Sequence, residues 1–474
     1  MKPTLDCLIP APESICYVAG TFDCKKLVSV FYKDEPSLLI DRLVSEAAYF
    51  GVNLSVCKDN PSIRLELDNK LDREAYRMTI TPEDITISSG AEDGLRYGLS
   101  ALIQLIAIAL IEGPTNAFIP CGEINDKPRF TWRGFLLDSS RHFQDVNCVL
   151  KILNIMSHLR LNVLHLHLTD SQGWRIQTET LKGLELDYTN TPGFYTKGDI
   201  KKIVQFAKDL GIKIVPEIDI PGHSKLLLKN YPQFACNPEN PGTEICLANL
   251  EARETLKKLL LEVFEMFPYS DLIHLGGDEA ATTHWDNCPK CQAYIKEHNL
   301  GTSRNLEHEF MMEMTRFVVD NDRFPIVWGI CSDLTYPEDT IIQSWLDIRE
   351  PIKIAENGNR VIYSVHSSLY FDYPMDLSEP HDTWMFPLSQ EGVYLCDPYI
   401  IWPDKVKNSI VGVEGALWTE IVPQHRVIPK IMPRITALSE TAWTKVEHKD
   451  FYKFLARDKK LIAAGYQEFL REGI

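Results

Sequence analysis

The chain has 474 residues, of which 45% are hydrophobic and 24% charged. That is the profile of a globular protein with a sizeable core, not of a disordered or fibrous chain. Lys plus Arg number 49 and Asp plus Glu 66, a formal charge of −17, so neither nucleic acid nor an anionic membrane is an expected partner and a neutral substrate fits better.

Residues 1–20 lack a basic segment followed by an apolar run and a small-residue cleavage site, so no signal peptide is expected. The 12 cysteines are scattered without framework spacing, as expected of a chain in the reducing cytoplasm. Residues 1–126 read as a small α+β domain. Helical spacing of apolar residues covers 37–50, strand-like alternation covers 62–67 and 75–87, and helical periodicity returns over 93–110. The apolar stretch 99–111 is interrupted by Gln104 and is too short to span a bilayer, which predicts a buried helix. Residues 122–128 read as a polar connector.

Over residues 127–474 the rhythm changes. Short apolar strands are expected over 134–137, 163–168, 213–218, 272–275, 326–328, 341–345, 361–364 and 410–413. Helices fit between most of them, as over 149–159, 199–210, 251–266 and 306–320. Eight strand–helix alternations predict an α/β fold with a closed (β/α)8 TIM barrel, preceded by the small α+β domain. An open doubly wound sheet would usually carry a Gly-rich phosphate loop after its first strand, and none is found.

Polar residues cluster just past the predicted strands, at the end where barrel active sites form. In chain order they are Asp138 and Arg141; His165, His167 and Asp170; Glu217, Asp219 and His223; Asp278 and Glu279; Trp328; Trp345; Tyr370 and Asp372; Trp418 and Glu420. Flat tryptophan faces suit the C–H faces of sugar rings, and carboxylates, Arg and Tyr suit hydroxyls. No lysine in this set could form a Schiff base, and there is no Gly-x-Ser-x-Gly turn. Asp278 and Glu279 follow two glycines in His274-Leu-Gly-Gly-Asp-Glu-Ala280. Adjacent carboxylates, with Cα atoms about 3.8 Å apart, do not easily flank an anomeric carbon. They suit one acid and one residue that orients a nucleophile carried by the substrate.

These residues resemble glycoside hydrolase family 20, the β-N-acetylhexosaminidases, from Arg129 to about Trp443. The motifs are Arg129-Phe-Thr-Trp-Arg-Gly-Phe-Leu-Leu-Asp-Ser-Ser-Arg141, Asn162-Val-Leu-His-Leu-His-Leu-Thr-Asp-Ser-Gln-Gly-Trp-Arg175, Pro216-Glu-Ile-Asp-Ile-Pro-Gly-His223, His274-Leu-Gly-Gly-Asp-Glu279 and Gly415-Ala-Leu-Trp-Thr-Glu420. The stretch from Ala91 to Gln104 is similar to the last helix of the domain that precedes the family's barrel. The resemblance implies exo-acting, substrate-assisted retaining hydrolysis of terminal β-linked N-acetylhexosamine from an oligosaccharide or glycan, through an oxazolinium ion and without a metal or cofactor. It implies that Glu279 is the acid and base, that Asp278 orients the acetamido group, and that Tyr370 hydrogen-bonds its oxygen. Trp328 and Trp345 would wall the acetamido methyl, Trp418 would support the ring, and Arg141, Asp372 and Glu420 would bind hydroxyls. Asp170 and His223 would tune Glu279, with Asp219 nearby, and Trp384 would line the leaving-group side.

Two other readings compete. His165 and His167 face one way on a strand and, with His223 and Asp278, could form a metal-dependent hydrolase site. The tryptophans and carboxylates would also suit a carbohydrate-binding protein without turnover. Cys288-Pro-Lys-Cys291, with His284 and His298 nearby, could hold a structural zinc, but a CxxC half-motif alone favours two free thiols. Gluco versus galacto preference and the natural glycan stay open. A helical shell could support a homodimer, although nothing in the chain picks out an interface.

Overall fold

The structure is a computed structural model that describes residues 4–33, 37–113, 117–329, 335–346, 349–400 and 402–472. The N-terminal part is a seven-stranded mixed sheet. Its spatial order is Ser14–Asp23, Phe118–Asp126, Tyr76–Ile80, Ile85–Ser89, Ile63–Leu67, Ser29–Tyr32 and Ser55–Val56. The strands Tyr76–Ile80 and Ile85–Ser89 alternate buried and half-buried positions throughout, as one covered face demands. The single strand-like run expected over 75–87 is therefore a hairpin. Thr81-Pro-Glu-Asp84 breaks it, with the Thr81 hydroxyl accepting from the Glu83 and Asp84 N–H groups.

The expected connector at 122–128 is mostly strand. Phe118–Asp126 pairs antiparallel with both neighbours. Glu123 and Asn125 occupy half-buried alternate positions, where Asn125 accepts from Arg77 Nε at 3.0 Å and donates to Glu123 at 2.7 Å. Alternation of that kind on a strand reads as polarity alone in the sequence.

Helix Glu92–Glu112 lies against this sheet. It is long and apolar enough to cross a membrane, but it is largely buried inside the fold. Gly98 sets its approach, since a Cβ there would lie 2.5 Å from Ile87 Cγ2.

Eight parallel strands then close into a barrel. In chain order they are Trp132–Asp138, Val163–His167, Lys213–Glu217, Leu272–His274, Phe324–Trp328, Ile341–Ser344, Arg360–Tyr363 and Ile410–Leu417. All eight overlap the runs expected from sequence, because strands buried on both faces read as continuous apolar stretches. Helices such as Val146–His158, Lys197–Asp209, Leu250–Met266 and Ser303–Val319 cover the outside.

Inward-facing side chains stack in layers. Trp132, Val163, Val215, Leu272, Ile326, Ile341 and Ile362 form an apolar floor. Two residues further along their strands stand His165, Glu217, His274, Trp328 and Gln343, all at most 1% exposed. The period of two that places one layer therefore places the next.

The N-terminal domain is fastened at the opposite end. Asp126, the last residue of its strand, accepts from Arg160 Nη1 at 2.6 Å and from Trp443 Nε1 at 2.9 Å. Buried Arg133 reaches Glu74 at 2.7 Å and the Tyr97 hydroxyl at 2.7 Å. These anchors leave the C-terminal mouth of the barrel free.

Candidate active site

The backbone after the fourth strand is built for a close approach. Gly276 and Gly277 have φ of 70° and 99°. A Cβ on Gly276 would lie 1.8 Å from Asp219 Oδ1, so only glycine lets the third and fourth loops meet there. Gly277 N–H donates to Asp219 Oδ1 at 3.3 Å, and Trp328 N–H donates to Gly276 O at 2.9 Å. Glu279 and His223 hold left-handed φ values of 53° and 50°. For residues with a side chain that conformation is costly and tends to cluster at functional sites.

Asp170 is the hub of the charged cluster. Its Oδ2 lies 2.7 Å from Arg141 Nη2, 3.1 Å from His167 Nε2 and 3.1 Å from His223 Nδ1. Burial works against its charge, but Arg141 and the two imidazoles hold its carboxyl well below the usual range. His223 then turns its other nitrogen to the catalytic candidates. Nε2 lies 3.7 Å from Glu279 Oε2, 3.9 Å from Asp278 Oδ2 and 4.0 Å from Asp219 Oδ2. Burial again opposes the charge, yet Asp219 and Asp170 outweigh it and lift the His223 imidazole to about 11. Burial lifts Asp278 to about 6 despite the pull of that imidazolium, and lifts Asp219 well above the usual range. Asp278 is thus buried and poised, whereas the Glu279 side chain is 58% exposed at the rim.

Aromatic residues wall the other side. Trp328 and Trp418 have ring centroids 5.9 Å apart, and Trp418 lies 6.1 Å from Tyr370. The Arg141 guanidinium stands over Trp418 at 5.1 Å, and its Nε is 3.8 Å from Glu420. Burial, reinforced by Glu420, lifts Asp372 to about 8. Trp345 is half-buried at the end of the sixth strand. Trp384 is 61% exposed and packs its ring against Tyr373 at 5.5 Å. The site's buried polar atoms include several without a hydrogen-bond partner: Arg141 Nε, His223 Nε2, Asp278 Oδ1 and Asp372 Oδ1. Each such atom costs about 1–3 kcal/mol; their convergence on one mouth is what a polar ligand would satisfy.

Sequence reasoning set His165, His167 and Glu217 at the mouth and missed that they form a network beneath it with His274 and Glu414. Glu217 is fully buried and accepts from Trp328 Nε1 at 2.8 Å. Its Oε2 lies 2.5 Å from His167 Nδ1 and 3.0 Å from His165 Nε2, and its Oε1 lies 3.2 Å from His274 Nδ1. Burial opposes its charge, but the three histidines hold its carboxyl well below the usual range. Glu414 accepts from Trp132 Nε1 at 2.9 Å and from Gln343 Nε2 at 2.7 Å, and lies 2.9 Å from His165 Nδ1. The signal was present: charged residues inside apolar strand runs, in Val-Pro-Glu217, Leu-Ile-His274 and Gly-Val-Glu414.

This layer also divides the residues of the metal reading among separate clusters. Among the described residues, His165, His167, His223 and Asp278 do not form one ligand set. His165 groups with Glu217 and His274, His167 with Glu217 and Asp219, and His223 and Asp278 with Glu279. His165 and His167 both pair with Glu217, which accepts from Trp328 Nε1, and the other nitrogen of His167 faces Asp170.

Comparison with known proteins agrees with this geometry. The family described as "Glycosyl hydrolase family 20, catalytic domain" matches residues 130–446, and that family's domain 2 matches residues 7–127. A β-hexosaminidase of Akkermansia muciniphila is 30% identical over 81% of this chain and 82% of its own. A β-N-acetylhexosaminidase structure from Bacteroides fragilis superposes with a TM-score of 0.85 at 29% identity, covering 98% of this chain and 96% of that one. An exo-β-N-acetylglucosaminidase from Vibrio harveyi, solved with N-acetylglucosamine, superposes with a TM-score of 0.90 at 27% identity, covering 99% of this chain and 79% of that one. The chain belongs to glycosyl hydrolase family 20 and is a glycoside hydrolase of the β-hexosaminidase kind.

Proposed function

We propose that the protein removes terminal β-linked N-acetylglucosamine, one residue at a time, using the substrate's own acetamido group as nucleophile. The observation that carries this reading is that Asp278 and Glu279 leave one turn of backbone and share the imidazolium of His223, at 3.9 and 3.7 Å. Both carboxyls therefore stand on one side of the sugar. The opposite side offers the rings of Trp328 and Trp418 and the hydroxyl of Tyr370.

In the first step the acetamido oxygen bonds to the anomeric carbon as the glycosidic C–O bond breaks. Glu279 gives its proton to the departing oxygen. Asp278, as carboxylate, accepts a hydrogen bond from the acetamido N–H and offsets the positive charge that grows on the ring being formed. The Tyr370 hydroxyl donates to the acetamido oxygen. In the second step Glu279 takes a proton from water, water attacks the anomeric carbon, and the acetamido group is released. Two displacements leave the configuration retained. Arg141, Asp372 and Glu420 hold the hydroxyls, and the unpartnered atoms of Arg141 and Asp372 are the ones available for that task. A cytoplasmic location with short oligosaccharides as substrates belongs to this proposal; in its support, none of the described cysteines is in a disulfide.

A thiazoline isostere of the bicyclic intermediate tests the mechanism. It should inhibit the wild type far more tightly than the product sugar does. Asp278→Asn should weaken it and lower kcat by about 10²–10³-fold with little change in KM, since removing a charge partner of the transition state costs that much. Equal affinity of the isostere for the two proteins, or unchanged kcat, would sink the role of Asp278.

A further inference from the structure

We propose that Cys236, Cys246, Cys288 and Cys291 hold one structural zinc ion that ties the loop after the third barrel strand to the loop after the fourth. From the sequence, His284 and His298 were the neighbours of the Cys288–Cys291 pair. The structure replaces them. His298 stacks on Tyr294 with ring centroids 4.0 Å apart, and His284 faces Glu244 at 3.5 Å. The pair meets two other cysteines instead, and all four sulfurs lie within 4.8 Å of one another.

Two of the sulfur–sulfur spacings match those of a tetrahedron. Cys291 Sγ is 3.8 Å from Cys236 Sγ and 3.7 Å from Cys246 Sγ. Four sulfurs at about 2.3 Å from a central zinc stand about 3.8 Å from one another. A disulfide would bring two of them to about 2.05 Å and pair them two by two. Here one sulfur is shared evenly between two others.

Main-chain pairing and one buried tryptophan present the sulfurs. Ala235 bridges Ile245, and Cys246 N–H donates to Phe234 O at 2.8 Å, so Cys236 and Cys246 sit side by side. Trp285 Nε1 donates to Ile245 O at 2.9 Å and holds the next loop against them. Cys288 is the N-cap of helix Pro289–Glu297 and Cys291 lies in its first turn, where backbone N–H groups favour thiolates. Cys246, Cys288 and Cys291 are buried, and Cys236 is half-buried, which leaves an entry path. Four soft sulfur ligands close the coordination shell, so the ion would be structural, with no position for substrate or water. The tied loops carry Asp219 and His223 on one side and Asp278 and Glu279 on the other. The ion would hold the frame of the site while taking no part in the chemistry.

Mass-spectrometric metal analysis of the purified full chain, reconstituted with Zn2+ under reducing conditions, is expected to give about one zinc per chain. Replacement with Co2+ should give the thiolate charge-transfer and visible bands of a tetrahedral four-sulfur site. Cys246→Ser and Cys291→Ser should lose the metal, and Cys57→Ser should keep it. In the wild type, which needs no variant to fold, a mercurial should release the zinc as four thiols react. Absence of zinc, retention of zinc by Cys246→Ser, or a cobalt spectrum without thiolate bands would each overturn the proposal.

Discussion

His223→Gln separates an electrostatic role from a merely structural one. In the free enzyme Asp278 stands at about 6 with the His223 imidazolium beside it. The acid limb of kcat/KM, which reports the free enzyme, should therefore fall near pH 6 in the wild type. The imidazolium Nε2 is 3.9 Å from Asp278 Oδ2. At an effective permittivity of about 20, two unit charges at that distance interact by roughly 4 kcal/mol, equivalent to about three pKa units. Asp170 and Asp219 share the same imidazolium, at 3.1 and 4.0 Å, so only part of this reaches Asp278. Removing the charge should raise the acid limb by about one to two pH units. The assay is the pH profile of kcat/KM with an aryl β-N-acetylglucosaminide between pH 4 and 9, a range set by the ordinary carboxyl and imidazole pKa values. Glutamine keeps a hydrogen-bonding group toward Asp170, so the shape of the profile carries the test. An acid limb that stays in place or moves down would refute the argument, whatever happens to the maximal rate.

Two further outcomes follow from the same geometry. Glu279→Gln should lose most of its activity on substrates with poor leaving groups and much less on a dinitrophenyl glycoside, because an activated leaving group needs little protonation; equal losses on both would contradict the acid role. Stability should fall on the alkaline side. Burial opposes the charge on His165, but Glu414 and Glu217 lift it to about 9 in the fold, against about 6.5 unfolded. Its contribution, on the order of 3 kcal/mol, is complete below the unfolded value and is lost as pH rises through about 9. The melting temperature should therefore decline between pH 7 and 10, and Glu414→Gln should flatten that decline; a melting temperature that rises over this range would show that the network is not charged as described.

Much of this molecule was legible in its sequence, and the reasons differ by region. The barrel strands declared themselves because both faces are buried, so their apolar runs are continuous. The residues of the mouth followed, since each lies just beyond such a run. Strand Phe118–Asp126 did not, because one of its faces is partly open and Glu123 and Asn125 read as a linker. The turn at Thr81-Pro82 hid in an otherwise uniform run. Glu217, His274 and Glu414 were harder for another reason. Their role depends on which side chains of different strands share a layer, and that is set by barrel closure and register. The four cysteines show the same limit. Cys288 and Cys291 stand together at the start of one helix and are visible as a motif, whereas Cys236 and Cys246 reach them only through the meeting of two loops.

The central claim is that the substrate supplies its own nucleophile between Asp278 and the tryptophan wall. Initial rates on two aryl β-glycosides that differ only at C2, one acetamido and one hydroxyl, test it most directly. The account predicts rapid cleavage of the acetamido compound and near-inertness of the hydroxyl compound at equal concentration, with a retained anomer as first product. Comparable rates on both, or an inverted first product, would contradict it.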